Sequence, residues 1–276
     1  MTIGEALSDA GYATGYYGKW HLGSHDGRLP NDQGFDEWFG IPRTTDESLW
    51  PSSPGWSSAI MPPEKMMEGK KGEKSRELKV YDVEQRRLID AEITRRSVAF
   101  IERQAKGSKP FFAYVALTQP HLPTEPNPAF KGKTGNGDWA DMLAEMDANV
   151  GQVLDAVDKA GVRDNTIVIF TSDNGAEFFK PWDGWAGPWR GQYFTALEGG
   201  IRVPFLIRWP GRIPAGEEPC ADDLQPLHRS ARREADGGFM GRGPDPEDRG
   251  RLRGEYEEVS AHTDGHSRSL YACEMK

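Results

Sequence analysis

Residues 11–23 read GYATGYYGKWHLG, and the rest of the chain can be interpreted outward from this stretch. Its aromatic-rich part, residues 12–20, is typical of a β-strand. A short helix is predicted just before it, because Thr2 and Glu5 have the spacing of a capping box and Gly11 ends the pattern. The segment therefore predicts a helix followed directly by a strand.

The end of this strand carries the first candidate functional pair. Side chains alternate between the two faces of a strand, so we expect Lys19 and His21 to point the same way. A Lys and a His that converge on one spot suit the binding and protonation of an oxyanion. The alternative is a surface Lys beside a packed His.

Helical and strand patterns alternate further along the chain. Apolar residues at helical spacing predict two helices, and continuous apolar runs predict buried parallel strands. The helices are expected at residues 83–105 and 138–160, and the strands at 110–117, 166–170 and 204–209. This order indicates βαβ units, and hence an α/β protein with a mostly parallel central sheet flanked by helices. Ligand groups gather beyond the carboxyl ends of such strands.

Two regions lack this pattern. Residues 23–75 are rich in Gly, Pro and Ser and are predicted to be loop-like, with the aromatic side chains of residues 31–40 packed on the domain. Residues 219–276 contain no Ile and no Trp, whereas all nine tryptophans precede them. Such a segment buries too little apolar surface to offset its ordering entropy. We therefore predict a folded domain at 1–218 and a low-order tail at 219–276, for which an altered reading frame is favoured over a natural disordered tail.

Composition excludes some classes of function. The 276 residues carry a net charge of -9, which argues against nucleic acid as the main partner. No apolar run reaches the length of a membrane span, and the first residues have no features of a signal peptide. Cys220 and Cys273 imply no disulfide framework, so cysteine usage leaves the compartment open.

Three further segments contain candidate site residues. TSDNG, at residues 171–175, places Asp173 and Asn174 after a predicted strand, and their oxygens suit Ca²⁺ or Mg²⁺; the alternative is a plain turn. QPHLP holds His121 between two prolines, although a lone His is more often structural. WRGQYFTALEGGIRVP contains Arg190, whose planar fork suits an anion unless it lies in a solvated loop.

Together these segments resemble the type I sulfatase family of the alkaline phosphatase-like superfamily. GYATGYYGKWHLG is similar to that family's second signature, and QPHLP, TSDNG and an EGG-x-R-x-P segment follow in the family's order. The resemblance covers about residues 1–218. It implies an arylsulfatase-like hydrolase of sulfuric esters that acts on a sulfated small molecule or glycan.

The resemblance also implies a role for each candidate residue. Lys19 would contact the sulfate, His21 would hydrogen-bond the catalytic hydrate, and His121 would protonate or bind the leaving group. Asp173 and Asn174 would be ligands of Ca²⁺ or Mg²⁺. Arg190 stands where many relatives carry a sulfate-binding Lys.

Two departures from the family pattern affect the expected activity. The family's nucleophile is a formylglycine made from a Cys or Ser in its first signature, and neither Cys220 nor Cys273 has that context. The Asp pair that completes the family's metal shell is also missing, so we expect an N-terminally truncated and impaired enzyme. Two alternatives stay open: a non-catalytic anion-binding pseudoenzyme, and a phosphatase or phosphodiesterase of the same superfamily.

Overall fold

The helices and strands follow one another along residues 1–216, the part of the chain that this computed structural model describes. The four helices are α1 (Ile3–Asp9), α2 (Val83–Gln104), α3 (Asp138–Lys159) and α4 (Glu198–Ile201). The first five strands are β1 (Ala13–Lys19), β2 (Glu37–Ile41), β3 (Lys65–Lys70), β4 (Arg76–Val80) and β5 (Phe111–Ala116). The remaining strands are β6 (Val168–Thr171), β7 (Phe178–Phe179), β8 (Trp182–Asp183) and β9 (Phe205–Arg208), and short 3₁₀ helices span Pro30–Asp32, Thr45–Ser52 and Arg163–Asn165.

The main sheet contains five strands in the order β4-β3-β2-β1-β5. β1 pairs in parallel with β2 on one side and β5 on the other, whereas β3 runs antiparallel to both β2 and β4. Four of the five strands therefore share one direction. This confirms the predicted α/β fold with a mostly parallel sheet flanked by helices.

Local sequence explains where the predicted helices begin. The Thr2 hydroxyl accepts a hydrogen bond from the Glu5 N–H, and the Glu5 carboxylate accepts one from the Thr2 N–H, so the predicted capping box is present. The Asp82 carboxylate accepts a hydrogen bond from the Gln85 N–H at the start of α2. The predicted helices 83–105 and 138–160 each match the observed helix to within one residue.

The core lies on both faces of the main sheet. Because strand residues alternate, Tyr16 and Tyr17 of β1 enter opposite apolar clusters. Tyr17 packs with α2 and α3, whose buried side chains include Ile93 and Val157. On the other face Tyr16 meets Trp20 edge-on, with ring centroids 5.0 Å apart. Both faces of β1 are thus packed within buried, aromatic-rich clusters.

Residues 23–75 are not a loop throughout, so that prediction was wrong in part. They supply β2 and β3, and Trp38 and Phe39 of β2 are buried, as expected for the aromatic side chains of this segment. The prediction took the glycines of this segment as loop signals. Gly40, however, lies within β2 at a point where β2 and β1 approach closely. A Cβ on Gly40 would lie 1.8 Å from the carbonyl oxygen of Gly18 on β1.

The two last apolar strands differ from the prediction of buried parallel strands. Among the strands of residues 1–216, β6 and β9 pair with each other alone, in an antiparallel two-stranded sheet. Ile169 is 55% exposed and Phe205 is 63% exposed. A continuous apolar run is consistent with a parallel strand or with a strand in the core of a sandwich, so it does not identify the direction of its partner.

Residues Met1–Ile213 form one compact unit, and a second unit begins at Pro214. The predicted low-order tail, with Cys220 and Cys273, lies outside the described residues. Within residues 1–216, no helix combines the length and the apolar character that crossing a bilayer requires.

Candidate active site

Lys19 lies at the carboxyl end of the central strand β1, where a parallel sheet gathers ligand groups. The ammonium group is half-buried, and burial lowers the pKa of Lys19. The carboxylates of Asp173, Glu177 and Asp46 act in the opposite direction and favour the charged form. Lys19 therefore faces the TSDNG turn across the end of the sheet.

His21 lies near Lys19, but its backbone does not have the strand conformation that the sequence predicted. The strand ends at Lys19, and His21 has a left-handed backbone with φ of 55°. The alternation argument for the two side chains was therefore wrong, because the chain turns between them. The two residues still interact, since partial burial and the charge of Lys19 both lower the pKa of His21.

His121 is held on both ring nitrogens. Its Nδ1 lies 2.6 Å from the Thr45 hydroxyl and 2.8 Å from the Leu122 carbonyl oxygen. Because a carbonyl oxygen can only accept, the second contact is satisfied when Nδ1 carries the proton. The Nε2 atom lies 3.3 Å from Oε1 of Glu177. The ring is thus fixed in orientation.

The electrostatics of His121 follow from this setting. Burial is the main cause that lowers its pKa, and the charge of Lys19 adds to it. The Leu122 carbonyl and the carboxylates of Glu177 and Asp46 act in the opposite direction. His121, Lys19 and Glu177 are therefore close enough to influence one another electrostatically.

Asp173 and Asn174 lie two and three residues after strand β6, in a turn joined to the EGG segment of α4. The Gly175 N–H donates to the Gly200 carbonyl at 2.9 Å, which connects TSDNG to the EGG segment. A Cβ on Gly175 would lie 2.0 Å from the Gly199 carbonyl oxygen, so glycine is required for this close approach. The carboxylate of Asp173 also acts on His21 and Lys19.

Arg190 stands apart from this cluster. Its carbonyl oxygen accepts a hydrogen bond from the Gly199 N–H at 2.8 Å, so its backbone supports the EGG turn. Its side chain is exposed, and the structure shows no hydrogen bond or ion pair from its guanidinium to another residue in 1–216. Lys19 therefore lies within electrostatic reach of His21, His121 and Asp173, whereas no hydrogen bond or ion pair within residues 1–216 links the Arg190 side chain to them.

Several residues of the site escaped the sequence reasoning. Thr45 and Asp46 lie in the 3₁₀ helix of the region predicted as loop, and Glu177 follows TSDNG by two residues. Tyr193 also belongs here. Burial is the main cause that raises the pKa of Tyr193, and the charges of Glu177 and Asp173 raise it further. None of these residues has a spacing pattern of its own, and only the fold places them together.

Asp173 and Asn174 provide hard oxygen donors of the kind that Ca²⁺ or Mg²⁺ prefers. Among residues 1–216, however, no group of three or more His, Cys, Asp or Glu side chains is arranged to hold a metal ion. The donor type fits the cation, while the described part of the chain supplies only a fraction of the six to eight oxygens that Ca²⁺ takes.

The fold is α/β with a mostly parallel central sheet, and comparisons with known proteins assign the family. The sequence model described as Sulfatase matches residues 1–232, and the chain belongs to the sulfatase family. It is similar to N-acetylgalactosamine-6-sulfatase of Canis lupus familiaris, with 35% identity over 77% of this chain and 40% of that protein. It is also similar to arylsulfatase G of Homo sapiens, with 34% identity over 77% of this chain and 45% of that protein.

Solved structures agree with this assignment. The PsFucS1 sulfatase from Pseudoalteromonas sp. matches with a TM-score of 0.71 and 32% identity, over 78% of this chain and 46% of that one. The structure of Ps i-CgsB in complex with k-i-k-neocarrahexaose matches with a TM-score of 0.61 and 27% identity, over 83% of this chain and 52% of that one. The chain therefore spans about half the length of these relatives, or less.

Proposed function

We propose that this chain binds a sulfate ester of a sugar or an aryl alcohol between Lys19, His21 and His121. The observation that carries the proposal is the convergence of a half-buried ammonium group and two imidazoles at the carboxyl end of β1. Three donors of this kind suit the oxygens of a sulfate group. Membership of the sulfatase family supports the reading of that anion as a sulfuric ester.

In the proposed reaction, a sulfate monoester and water give an alcohol and hydrogen sulfate. The bond between sulfur and the ester oxygen breaks, and the leaving oxygen takes up one proton. His121 is the proposed donor, because its Nδ1 proton is engaged by the Leu122 carbonyl and only Nε2 faces Glu177. With Nδ1 protonated, Nε2 carries a proton only in the imidazolium form, which Glu177 favours, and that Nε2 proton is the one available to the leaving group.

Lys19 is proposed to hold the sulfate oxygens. Its ammonium carries the positive charge at the end of β1, and in a half-buried setting that charge acts more strongly than it would in water. His21 is proposed to donate a hydrogen bond beside it. Charge stabilisation of this kind is among the largest contributions to catalysis of group transfer.

The balance of charges supports a cation requirement. Three carboxylates, those of Asp46, Asp173 and Glu177, act on Lys19, whereas the buried Arg86 is the other positive charge that acts on it. A cation beside these carboxylates would balance their charge when an anion binds. We propose that Asp173 and Asn174 contribute to a Ca²⁺ or Mg²⁺ site, and such an ion would offset charge on the sulfate group.

Arg190 is proposed to contact the substrate outside the cluster, because its side chain is exposed.

The proposed reaction lacks a recognised nucleophile in this chain. Neither Cys220 nor Cys273 has the sequence context of a formylglycine precursor, and formylglycine supplies the nucleophile in the family. The chain as written is therefore proposed to bind sulfate esters and to turn them over slowly.

The experiment compares 4-nitrophenyl sulfate with 4-nitrophenyl phosphate, with Ca²⁺ present. The chain as written is assayed beside a version extended with a relative's N-terminal segment and matured to formylglycine. We expect the extended version to hydrolyse the sulfate ester at least about 1000-fold faster than the chain as written. Equal rates for the two proteins would contradict the proposed impairment. Preference for the phosphate would favour a phosphatase, and binding without turnover by both would favour an anion-binding pseudoenzyme.

A further inference from the structure

Arg86 is a fully buried guanidinium that the proposed reaction does not use. It lies in the first turns of α2, and its side chain is 0% exposed. Burial of a charge is costly unless the group is paired and its N–H groups are satisfied. The partners of Arg86 therefore indicate what the residue is for.

Those partners belong mainly to one short segment, residues 118–123. Nη2 of Arg86 donates to the His121 carbonyl oxygen at 2.8 Å, and Nε donates to the Pro123 carbonyl oxygen at 3.2 Å. Nη1 donates to the Thr118 hydroxyl at 2.7 Å, and Nη2 also approaches the Thr118 carbonyl oxygen at 3.4 Å. One planar group thus binds three backbone carbonyls of a segment that has no helix or strand of its own.

Asp90 completes this network one turn further along α2. Its Oδ2 lies 3.2 Å from Nη1 of Arg86 and accepts a hydrogen bond from the Thr118 hydroxyl at 2.5 Å. Its Oδ1 accepts a hydrogen bond from the Thr118 N–H at 2.6 Å. Arg86 and Asp90 together therefore hold Thr118 at the beginning of the segment, while Nη2 of Arg86 binds the His121 carbonyl oxygen.

Stability alone does not account for this arrangement. Buried ion pairs contribute little net stability, and a well-packed apolar pair often does as well. The specific property of Arg is its rigid fork, which fixes the position of several acceptors at once. The bond from Nη2 fixes the backbone of His121, and Thr45 and Glu177 then fix its ring.

We propose that Arg86 is a positioning residue that sets the backbone, and through it the ring orientation, of His121. The proposal rests on the proposed function in giving His121 a role, but the positioning itself is measurable without turnover. Asp90 and Thr118 hold the guanidinium in place for this purpose.

The test is the variant Arg86→Lys. NMR of the ¹⁵N-labelled protein measures the chemical shifts of the two ring nitrogens of His121. Lys keeps the buried charge beside Asp90, but an ammonium group has no planar fork. Arg87→Lys is the matched control, because Arg87 lies next in α2 and pairs with Glu84 and Glu125 instead. Should Arg86→Lys unfold, Arg86→Met with Asp90→Asn removes both buried charges and keeps an acceptor for the Thr118 N–H.

The folded Arg86 variant is expected to lose the Nδ1-protonated ring form of His121. The two ring-nitrogen shifts should move toward a mixture of tautomers, and the Nδ1 proton should exchange with water at least tenfold faster. Arg87→Lys should leave both unchanged. An unchanged His121 ring in a folded Arg86 variant would overturn the proposal. So would unfolding of both Arg86 variants, because Arg86 would then have no positioning role separable from core stability.

Failure of the proposed function is a different result. If His121→Ala left the affinity for 4-nitrophenyl sulfate unchanged, His121 would not contact the ester. The ring spectra would still report whether Arg86 positions it.

Discussion

Oε1 of Glu177 lies 3.3 Å from Nε2 of His121, and the other oxygen of the same carboxylate accepts a hydrogen bond from the Leu122 N–H at 2.8 Å. One carboxylate therefore contacts both the ring of His121 and the backbone that follows it. Because Glu177 lies two residues after TSDNG and His121 lies in QPHLP, this pair connects the neighbourhoods of two recognised motifs.

Replacement of Glu177 tests this connection. In Glu177→Gln the negative charge is lost, while the amide oxygen can still accept from the Leu122 N–H. Because Glu177 favours the protonated ring, the pKa of His121 should fall further below its ordinary value. Titration of the His121 ring by NMR measures the change, with Glu125→Gln as a control outside the cluster. A His121 pKa that stays constant or rises would contradict the contact.

Gly18 allows β1 and β5 to pack closely, and a methyl group there should disrupt the sheet. A Cβ on Gly18 would lie 1.7 Å from the Ala116 carbonyl oxygen, and its φ of 130° also disfavours other residues. We expect Gly18→Ala to lower the free energy of unfolding by more than about 3 kcal/mol, the range of severe core changes. Chemical denaturation measures this.

The matched control is Gly55→Ala. Gly55 also has a positive φ, of 76°, but a Cβ there would meet nothing within 4 Å. Gly55→Ala should lower the free energy of unfolding by only about 1 kcal/mol, because alanine is strained at this positive φ. Equal losses at the two positions would show that close strand packing is not what requires Gly18.

Burial raises the pKa of Glu64 to about 8, and the neighbouring Glu47 adds to the shift. Its carboxyl Oε2 is buried without a hydrogen-bond partner, while Oε1 accepts from the Arg43 N–H at 2.5 Å. In the folded protein Glu64 thus keeps its proton up to about pH 8, whereas in the unfolded chain it loses the proton near 4.5. Since the native state then binds more protons, the stability contributed by Glu64 is lost as pH rises from about 4.5 to 8.

Glu64→Gln should remove this pH dependence, because the amide resembles the protonated acid. Relative to the original protein, the variant should gain on the order of 2–4 kcal/mol in free energy of unfolding between pH 5 and pH 8.5. Denaturation at both pH values measures the difference. Parallel pH profiles for the two proteins would show that Glu64 is ionised in the folded state.

The motifs predicted which residues lie near one another better than the patterns predicted the sheet. Lys19 and His121 lie near each other because Lys19 ends β1 and His121 follows β5, two neighbouring parallel strands. Asp173 follows β6, which belongs to the separate two-stranded sheet. The sequence did not reveal β2, because Gly40 resembles a loop signal until its contact with Gly18 is seen. The antiparallel pairing of β6 and β9 was likewise hidden, since the choice of partner depends on tertiary packing rather than on local residues.

Glu177 and Arg86 illustrate what motif reasoning misses. Arg86 is one of several arginines in α2, and nothing in its spacing distinguishes it from the paired, partly exposed Arg87. Its distinction is complete burial against the carbonyl groups of residues 118–123, which arise from a separate part of the chain. Contacts of this kind follow from the assembled fold alone.

The central claim, that Lys19 holds a sulfate ester, is tested most directly by calorimetric titration with 4-nitrophenyl sulfate in Ca²⁺. Lys19→Met should weaken binding about 10- to 100-fold, since a hydrogen bond to a charged group contributes about 1.5–3 kcal/mol. Lys159→Met is the matched control, because Lys159 is exposed and its ion pair within residues 1–216 is with Asp155, outside the cluster. Chelation of Ca²⁺ should weaken binding to the original protein as well. Equal affinities of the Lys19→Met and Lys159→Met variants for the ester would contradict the account.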